Sequence, residues 1–254
     1  MRLIIFYGQY KMRDSEHHLF YSDNITGNIV QLDNNESNHA LAVLSVKSGQ
    51  RIQITDGSGA IYECQCTNQK PPLSCEILKK TIVPKITPEL TLLVGIPYKE
   101  NFEIILEHAT ALGVARIVPL VMEHCRKPWW ESWDKQRQRF ASKMVVSMKQ
   151  CLYPYIPRLD APTSLEKILD TCEKPLIVAE QNGKVLRDED ISHHKKLSCL
   201  IGPPGGLSNN ELTIIESYRQ QNANSILTVK IAPSRLRTEL AATVLCSRII
   251  GAFL

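Results

Sequence analysis

Two short segments carry residue types that can hold a ligand through backbone and side chain together. Gly202-Pro203-Pro204-Gly205-Gly206 combines three residues without a Cβ and two with a fixed φ, so its amides can press against a bound group from a stiff, narrow shelf. A tight turn with no ligand would use the same residues. Leu236-Arg237-Thr238-Glu239 places a fork-shaped cation, a hydroxyl and a carboxylate at an expected helix start, where the dipole favours negative charge. Arg237 and Glu239 are candidates for gripping a substrate; they are equally able to pair with each other. A third segment, Arg126-Lys127-Pro128-Trp129-Trp130 followed by Lys135, Arg137, Arg139 and Lys143, interleaves cations and aromatics in the way single-stranded RNA requires. Trp133, Phe140 and Met144 fall on one stripe of the same helix, so many of those charges also read as its solvated face.

Other chemistries find little support. The eight cysteines form no Cys-x-x-Cys pair, and Cys64 and Cys66 alternate on what reads as one strand face, where packing is their expected role. His17-His18 and His193-His194 sit in polar stretches without further ligands at metal spacing, so no metal is expected.

The elements that must position these groups fall into two rhythms. Up to residue 80, short strands alternate with turns: Arg51–Thr55 and Ala60–Cys64 flank Asp56-Gly57-Ser58-Gly59 as a hairpin, with 28–32 and 73–78 as further strands and 38–44 as a short helix. This reads as a small β-barrel domain, 1–80, followed by a proline-bearing linker at 81–88. From Glu89 onward strands alternate with helices, the pattern of an α/β domain with a mainly parallel sheet, 81–254. Strands are expected at 90–96, 114–121, 176–179, 197–201 and 226–231, and a helix through Phe102, Ile105, Leu106, Ala109 and Leu112 should stop at Gly113. A second helix carries Phe140, Met144, Met148 and Cys151 and must end before Pro154. Thr163-Ser164-Leu165-Glu166 reads as a capping box opening a third, and Ser208 with Glu211 as a stronger one. The last helix starts between Ser234 and Thr238. Both glycine- and arginine-bearing segments therefore lie beyond strand ends, where open α/β sheets bind ligands.

With 254 residues, 43% of them hydrophobic, the chain can build a sizeable core, and its net charge of +4 permits RNA binding without requiring it. No stretch approaches the roughly 20 apolar residues of a membrane span, and no leader pattern opens the chain, so the expected location is the cytoplasm.

In order along the chain, Ile201-Gly202-Pro203-(Pro204)-Gly205-Gly206-Leu207-Ser208 and Leu236-Arg237-Thr238-Glu239-(Leu240)-Ala241 resemble the trefoil-knotted SPOUT methyltransferases, most closely the family that methylates N3 of a uridine in bacterial 16S ribosomal RNA. Further matches are Leu112-Gly113-Val114 running into Ile117-Val118-Pro119-Leu120, Gln150-Cys151 with Pro157, and His39, Val43-Leu44, Gly49 and Asp56-Gly57. The resemblance covers nearly the whole chain. It implies an N-terminal PUA-like β-barrel that helps hold RNA, a knotted C-terminal domain, and a homodimer acting on the small ribosomal subunit. It further implies S-adenosylmethionine bound in the knot loops by Ile201, Gly202, Pro203, Gly205, Gly206, Ile231, Leu236 and Thr238. Arg237 and Glu239 would then be the catalytic pair, and Arg126, Lys127, Trp129 and Trp130 the RNA contacts. The chain departs from the family pattern at Ala42, Ser45, His108, Ala111, Lys149, Tyr153, Pro204 and Ser234. Those departures leave room for a paralogue methylating another RNA, or for a non-catalytic RNA-binding protein.

Overall fold

The computed structural model describes residues 6–7, 10–11, 18–125, 128–222 and 225–253. The chain divides into two compact units, one of Met1–Lys85 with Val145–Ile156 and one of Ile86–Met144 with Pro157–Leu254.

The first unit begins with the two-residue strands β1 (Phe6–Tyr7) and β2 (Tyr10–Lys11), paired antiparallel. Then follow β3 (Leu19–Tyr21), β4 (Ile25–Thr26), β5 (Ile29–Gln31), α1 (Asn34–Asn38) leading into a wide helical turn at His39–Val43, β6 (Arg51–Thr55), β7 (Ala60–Cys66) and β8 (Ser74–Ile82). Strands β3 to β8 form one sheet in the order β3-β6-β7-β8-β5-β4. Among the described residues no pairing joins its edges β3 and β4, so the sheet is an open half-barrel. Its core holds Val30, Leu32, Ile54, Cys64, Leu73 and Cys75, all out of contact with solvent. Burial pushes the Cys64 thiol up to about 12, helped by neighbouring Cys66, so this cysteine is a packing residue and not a nucleophile.

The β6–β7 hairpin is built around Asp56. Its Oδ1 accepts from the Ser58 amide at 2.8 Å and the Ser58 hydroxyl at 2.6 Å, and its Oδ2 from the Tyr62 hydroxyl at 2.9 Å. Gly59, at φ +105°, also lies where a Cβ would meet the Tyr155 ring at 2.2 Å. That close approach, with the Gly59 amide donating to Pro154 O at 2.7 Å and the Ile156 amide to Gly57 O at 2.9 Å, is why residues 145–156 belong to the first unit.

The second unit contains β9 (Glu89–Gly95), α2 (Lys99–Ala111), β10 (Arg116–Leu120), α3 (Trp133–Cys151, leaving the unit at Met144), β11 (Arg158–Leu159), α4 (Leu165–Leu169), β12 (Leu176–Val185), β13 (Lys196–Ile201), α5 (Asn209–Gln221), β14 (Ile226–Lys230) and α6 (Thr238–Gly251). All its strand pairings are parallel, in the order β11-β10-β9-β13-β12-β14. Leu90, Leu92, Leu93 and Val94 of β9 are fully buried, as expected of a strand covered on both faces. Leu93, Val118, Val178 and Leu200 share a core with Leu165 and Ile168 of α4 and Ile215 of α5. Helix α6 packs on β9 and β13, and α2 packs on α6.

Strand β13 inserts between β9 and β12, so the direction of strand addition reverses beside it. A crevice beyond the strand ends at such a reversal is the usual ligand site of an open α/β sheet.

The capping box expected at Thr163 does not form. Ser164 is the N-cap of α4, without a side-chain capping bond, because Thr163 bridges to Leu120 and its backbone is spent on the β10 edge. The second box forms as expected: the Glu211 amide donates to Ser208 Oγ at 3.2 Å and the Ser208 amide to Glu211 Oε2 at 2.7 Å. No helix among the described residues is long and apolar enough to cross a membrane.

Candidate active site

Beyond the carboxyl ends of β13 and β14, and beside the interrupted middle of β12, lies a cavity of about 300 Å³. Its lining includes Ile201, Gly202, Pro203, Gly205, Gly206, Ile231, Leu236 and Thr238, so the structure brings together all eight residues that the sequence marks for a methyl donor. Three polar contacts fasten the loops around it. Thr238 Oγ1, at the start of α6, donates to Gly202 O at 3.3 Å; Arg235 Nη2 donates to Pro204 O at 3.3 Å; and Gln181 Nε2 donates to Ser234 O at 3.2 Å. His124 Nδ1 lies 2.9 Å from Gly206 O, which ties the loop after β10 to the same shelf.

Glycine is required here by space as well as by torsion. A Cβ on Gly205 would sit 2.5 Å from His124 Cβ, and Gly206 holds φ at +81°. Gly95, the last residue of β9, passes so near the shelf that a Cβ would meet Pro203 N at 2.4 Å and Met122 Sδ at 2.9 Å.

Besides Arg235, the cavity contains two residues that the sequence did not single out, Glu180 and Gln181. Strand β12 pairs with Val229 of β14 through Ala179 and again through Lys184, so the intervening residues bulge out of the ladder. Gly183 permits this, since a Cβ there would lie 2.4 Å from Val229 backbone. The polar run Glu180-Gln181-Asn182-Gly183 interrupting a buried strand is the signal that could have found them.

Arg237 and Glu239 are placed differently. Arg237 is the exposed N-cap of α6 and Glu239 stands in its first turn; neither lines the cavity. Glu239 Oε2 accepts from Asn101 Nδ2 of α2 at 3.0 Å, and no ion pair joins it to Arg237 among the described residues. Asn101 is thus a further polar neighbour that only the fold reveals.

Of the expected RNA contacts, Arg126 and Lys127 lie outside the described residues. Trp129 stacks on Trp133 at 6.3 Å, meets Phe102 and Phe140 at 5.3 and 5.6 Å, and donates its indole N–H to Pro97 O at 2.9 Å. Its ring is therefore committed to packing. Trp130, half-buried, meets it edge-on at 6.4 Å. Farther along α3, Arg139 Nε lies 2.6 Å from Glu103 and Lys143 Nζ 2.7 Å from Glu107, both on α2. Those two cations belong to the solvated side of a helix pair. Among the described residues no group of three or more histidines, cysteines and acids is arranged to hold a metal ion.

The RNA methyltransferase domain family matches residues 85–250. The chain belongs to that family. The matched region begins one residue before the second unit and contains every residue of the cavity. Ribosomal RNA small subunit methyltransferase E of Mycobacterium bovis is 24% identical over 237 residues, covering 89% of this chain and 88% of that protein. Its namesake from Aquifex aeolicus is 26% identical over 234 residues, covering 91% and 97%. The crystal structure of ribosomal RNA small subunit methyltransferase E from Neisseria gonorrhoeae bound to S-adenosyl methionine superposes with a TM-score of 0.79 at 21% identity, covering 93% of this chain and 98% of that one. At that identity the likeness is one of fold.

Proposed function

We propose that this protein transfers the methyl group of S-adenosylmethionine to N3 of a uridine in the 16S ribosomal RNA of the small subunit. The observation that carries the reading is the cavity itself, walled by the glycine shelf and locked to the α6 start by Thr238.

The residues present fit the donor. About 300 Å³ lies within the range of small-molecule sites. Ala179, Leu207, Ile231, Leu236 and Ala241 offer apolar surface to a flat base, the glycine amides offer backbone hydrogen bonds, and Glu180 and Gln181 offer polar partners for hydroxyl or ammonium groups. When bound, S-adenosylmethionine supplies a methyl carbon on a sulfonium, open to displacement by a nitrogen. The chain's own part is to align the two reactants and to take the N3 proton. Glu239, held by Asn101 in the first turn of α6, is the carboxylate we assign to that proton. Arg237, exposed beside it, steadies the deprotonated base or a neighbouring phosphate.

On this reading residues 1–80 form a PUA-like domain that holds RNA, and 81–254 a SPOUT domain with a trefoil knot around the donor loops. Arg126, Lys127 and Trp130 contact RNA, with Trp129 as the support of Trp130. The active unit is a cytoplasmic homodimer, which brings a second copy to the apolar side of α6, where Leu240 is exposed. Calorimetry with S-adenosylmethionine tests the donor site directly: micromolar, one-to-one binding per chain is expected, and no binding at millimolar donor would refute the reading.

A further inference from the structure

A second cavity in the α/β unit, about 630 Å³, shares no residue with the donor site. It lies at the sheet edge formed by β11, under α4 and the first turns of α3, and its charged lining is Arg116, Asp134, Arg137, Arg158, Asp160 and Lys167. Four cations face two carboxylates.

Asp160 is spent on holding two of those cations in place. It accepts from Arg116 Nε at 2.9 Å through Oδ2, and Arg158 Nε lies 2.8 Å from its Oδ1. One carboxylate between two guanidiniums leaves a net positive charge and several N–H donors, because each guanidinium carries five. Arg116 sits at the start of β10 and Arg158 at the start of β11, in register with each other, so the pair is mounted on the sheet and not on a loop. Rigid mounting of this kind lowers the ordering cost of binding.

Arg137 and Lys167 complete the arrangement. Among the described residues neither enters an ion pair, whereas Arg139 and Lys143 on the same helix as Arg137 are matched to Glu103 and Glu107. Helix α3 therefore neutralises the cations on its α2 side and leaves Arg137 unmatched over the cavity. Trp133, only 9% exposed, gives an apolar floor.

We infer that this cavity binds the phosphodiester backbone of the RNA substrate, as an anchoring site separate from the methyl-donor site. Phosphate is an anion whose geometry paired, pre-positioned arginines match bidentately. The inference rests on the proposed RNA substrate, since a protein acting on RNA meets a chain of phosphates that extends beyond the reacting nucleotide.

The test uses the full chain with charge reversals at the two exposed, unmatched cations, Arg137→Glu with Lys167→Glu. A control protein carries Arg187→Glu with Lys195→Glu, the same charge change on an exposed part of the same unit. Binding of a fluorescein-labelled single-stranded 16S RNA fragment is followed by anisotropy across a salt series, and S-adenosylmethionine binding by calorimetry. The expected result is a loss of RNA affinity of about tenfold or more at low salt and a salt slope reduced by about 1.4, the value for two phosphate contacts on a single strand. Donor affinity stays unchanged, and the control stays within twofold of the parent. Equal losses in variant and control, or no loss in the variant, overturn the anchoring site while leaving the RNA reading intact. A parent protein that binds donor but no RNA overturns both.

Discussion

The hydroxyl of Thr238 at the start of α6 donates to the carbonyl of Gly202 at the end of β13, across 3.3 Å, in a site where Thr238 is only 4% exposed. Two segments separated by a helix and a strand are thereby fixed as opposite walls of one cavity. Thr238→Val removes the donor and keeps the shape, leaving the Gly202 carbonyl without that partner. At a net worth of about 0.5–1.5 kcal/mol for one hydrogen bond, donor affinity should fall about 2- to 13-fold in calorimetry, with Thr238→Ser close to the parent. An unchanged valine variant would show that the contact does not hold the wall.

Gly95 makes a stronger demand. Its missing Cβ is what lets Pro203 N pass within 2.4 Å of that position, and the two nearest atoms in the way are backbone and ring, which cannot swing aside. Gly95→Ala should cost about 1–3 kcal/mol, seen as a melting temperature lower by roughly 3–10 °C, together with weaker donor binding. A melt and an affinity equal to the parent would contradict the close approach.

Neither Arg237 nor Glu239 lines the cavity, which separates their contribution from donor binding. Glu239→Gln should lower the methylation rate by about 100-fold or more, the usual scale for losing a proton acceptor, while calorimetry gives a donor affinity within twofold of the parent. Arg237→Ala should reduce methylation at unchanged donor affinity. Full activity in either variant removes that residue from the mechanism.

The hairpin of the first unit gives a pH dependence. Burial alone would raise the Asp56 carboxyl, but the hydrogen bonds from Ser58 and Tyr62 and the charge of Lys80 outweigh it and hold the group below its ordinary value. A carboxyl lowered in the folded state adds stability that is fully present above the unfolded value of about 3.9 and fades as pH falls through the folded one. Asp56→Asn should therefore be less stable than the parent in urea unfolding at pH 7, with the gap closing as the pH drops below about 4. A gap independent of pH would contradict it.

Local rules made much of this protein legible before any coordinates. Alternating residues delimit β6 as Arg51–Thr55, and Ser208 with Glu211 forms the cap that their spacing announces. The eight residues marked for a methyl donor share a cavity because each stands at or just past a strand end or close to a helix start, places that periodicity reveals. What escaped depends on encounters through space. Gly95 and Gly183 matter because Pro203 and Val229 pass beside them, and Asn101 because α2 packs on α6. Thr163 looked like a cap and became a sheet partner, since an open strand edge next to it claimed its backbone first.

The most direct measurement is methylation of purified 30S subunits and of free 16S ribosomal RNA with isotopically labelled S-adenosylmethionine, followed by nucleoside analysis and mapping of the product. One 3-methyluridine per particle, at a single position, is the predicted result. Label on a ribose hydroxyl, or none on either substrate from a protein that binds the donor, would contradict the account.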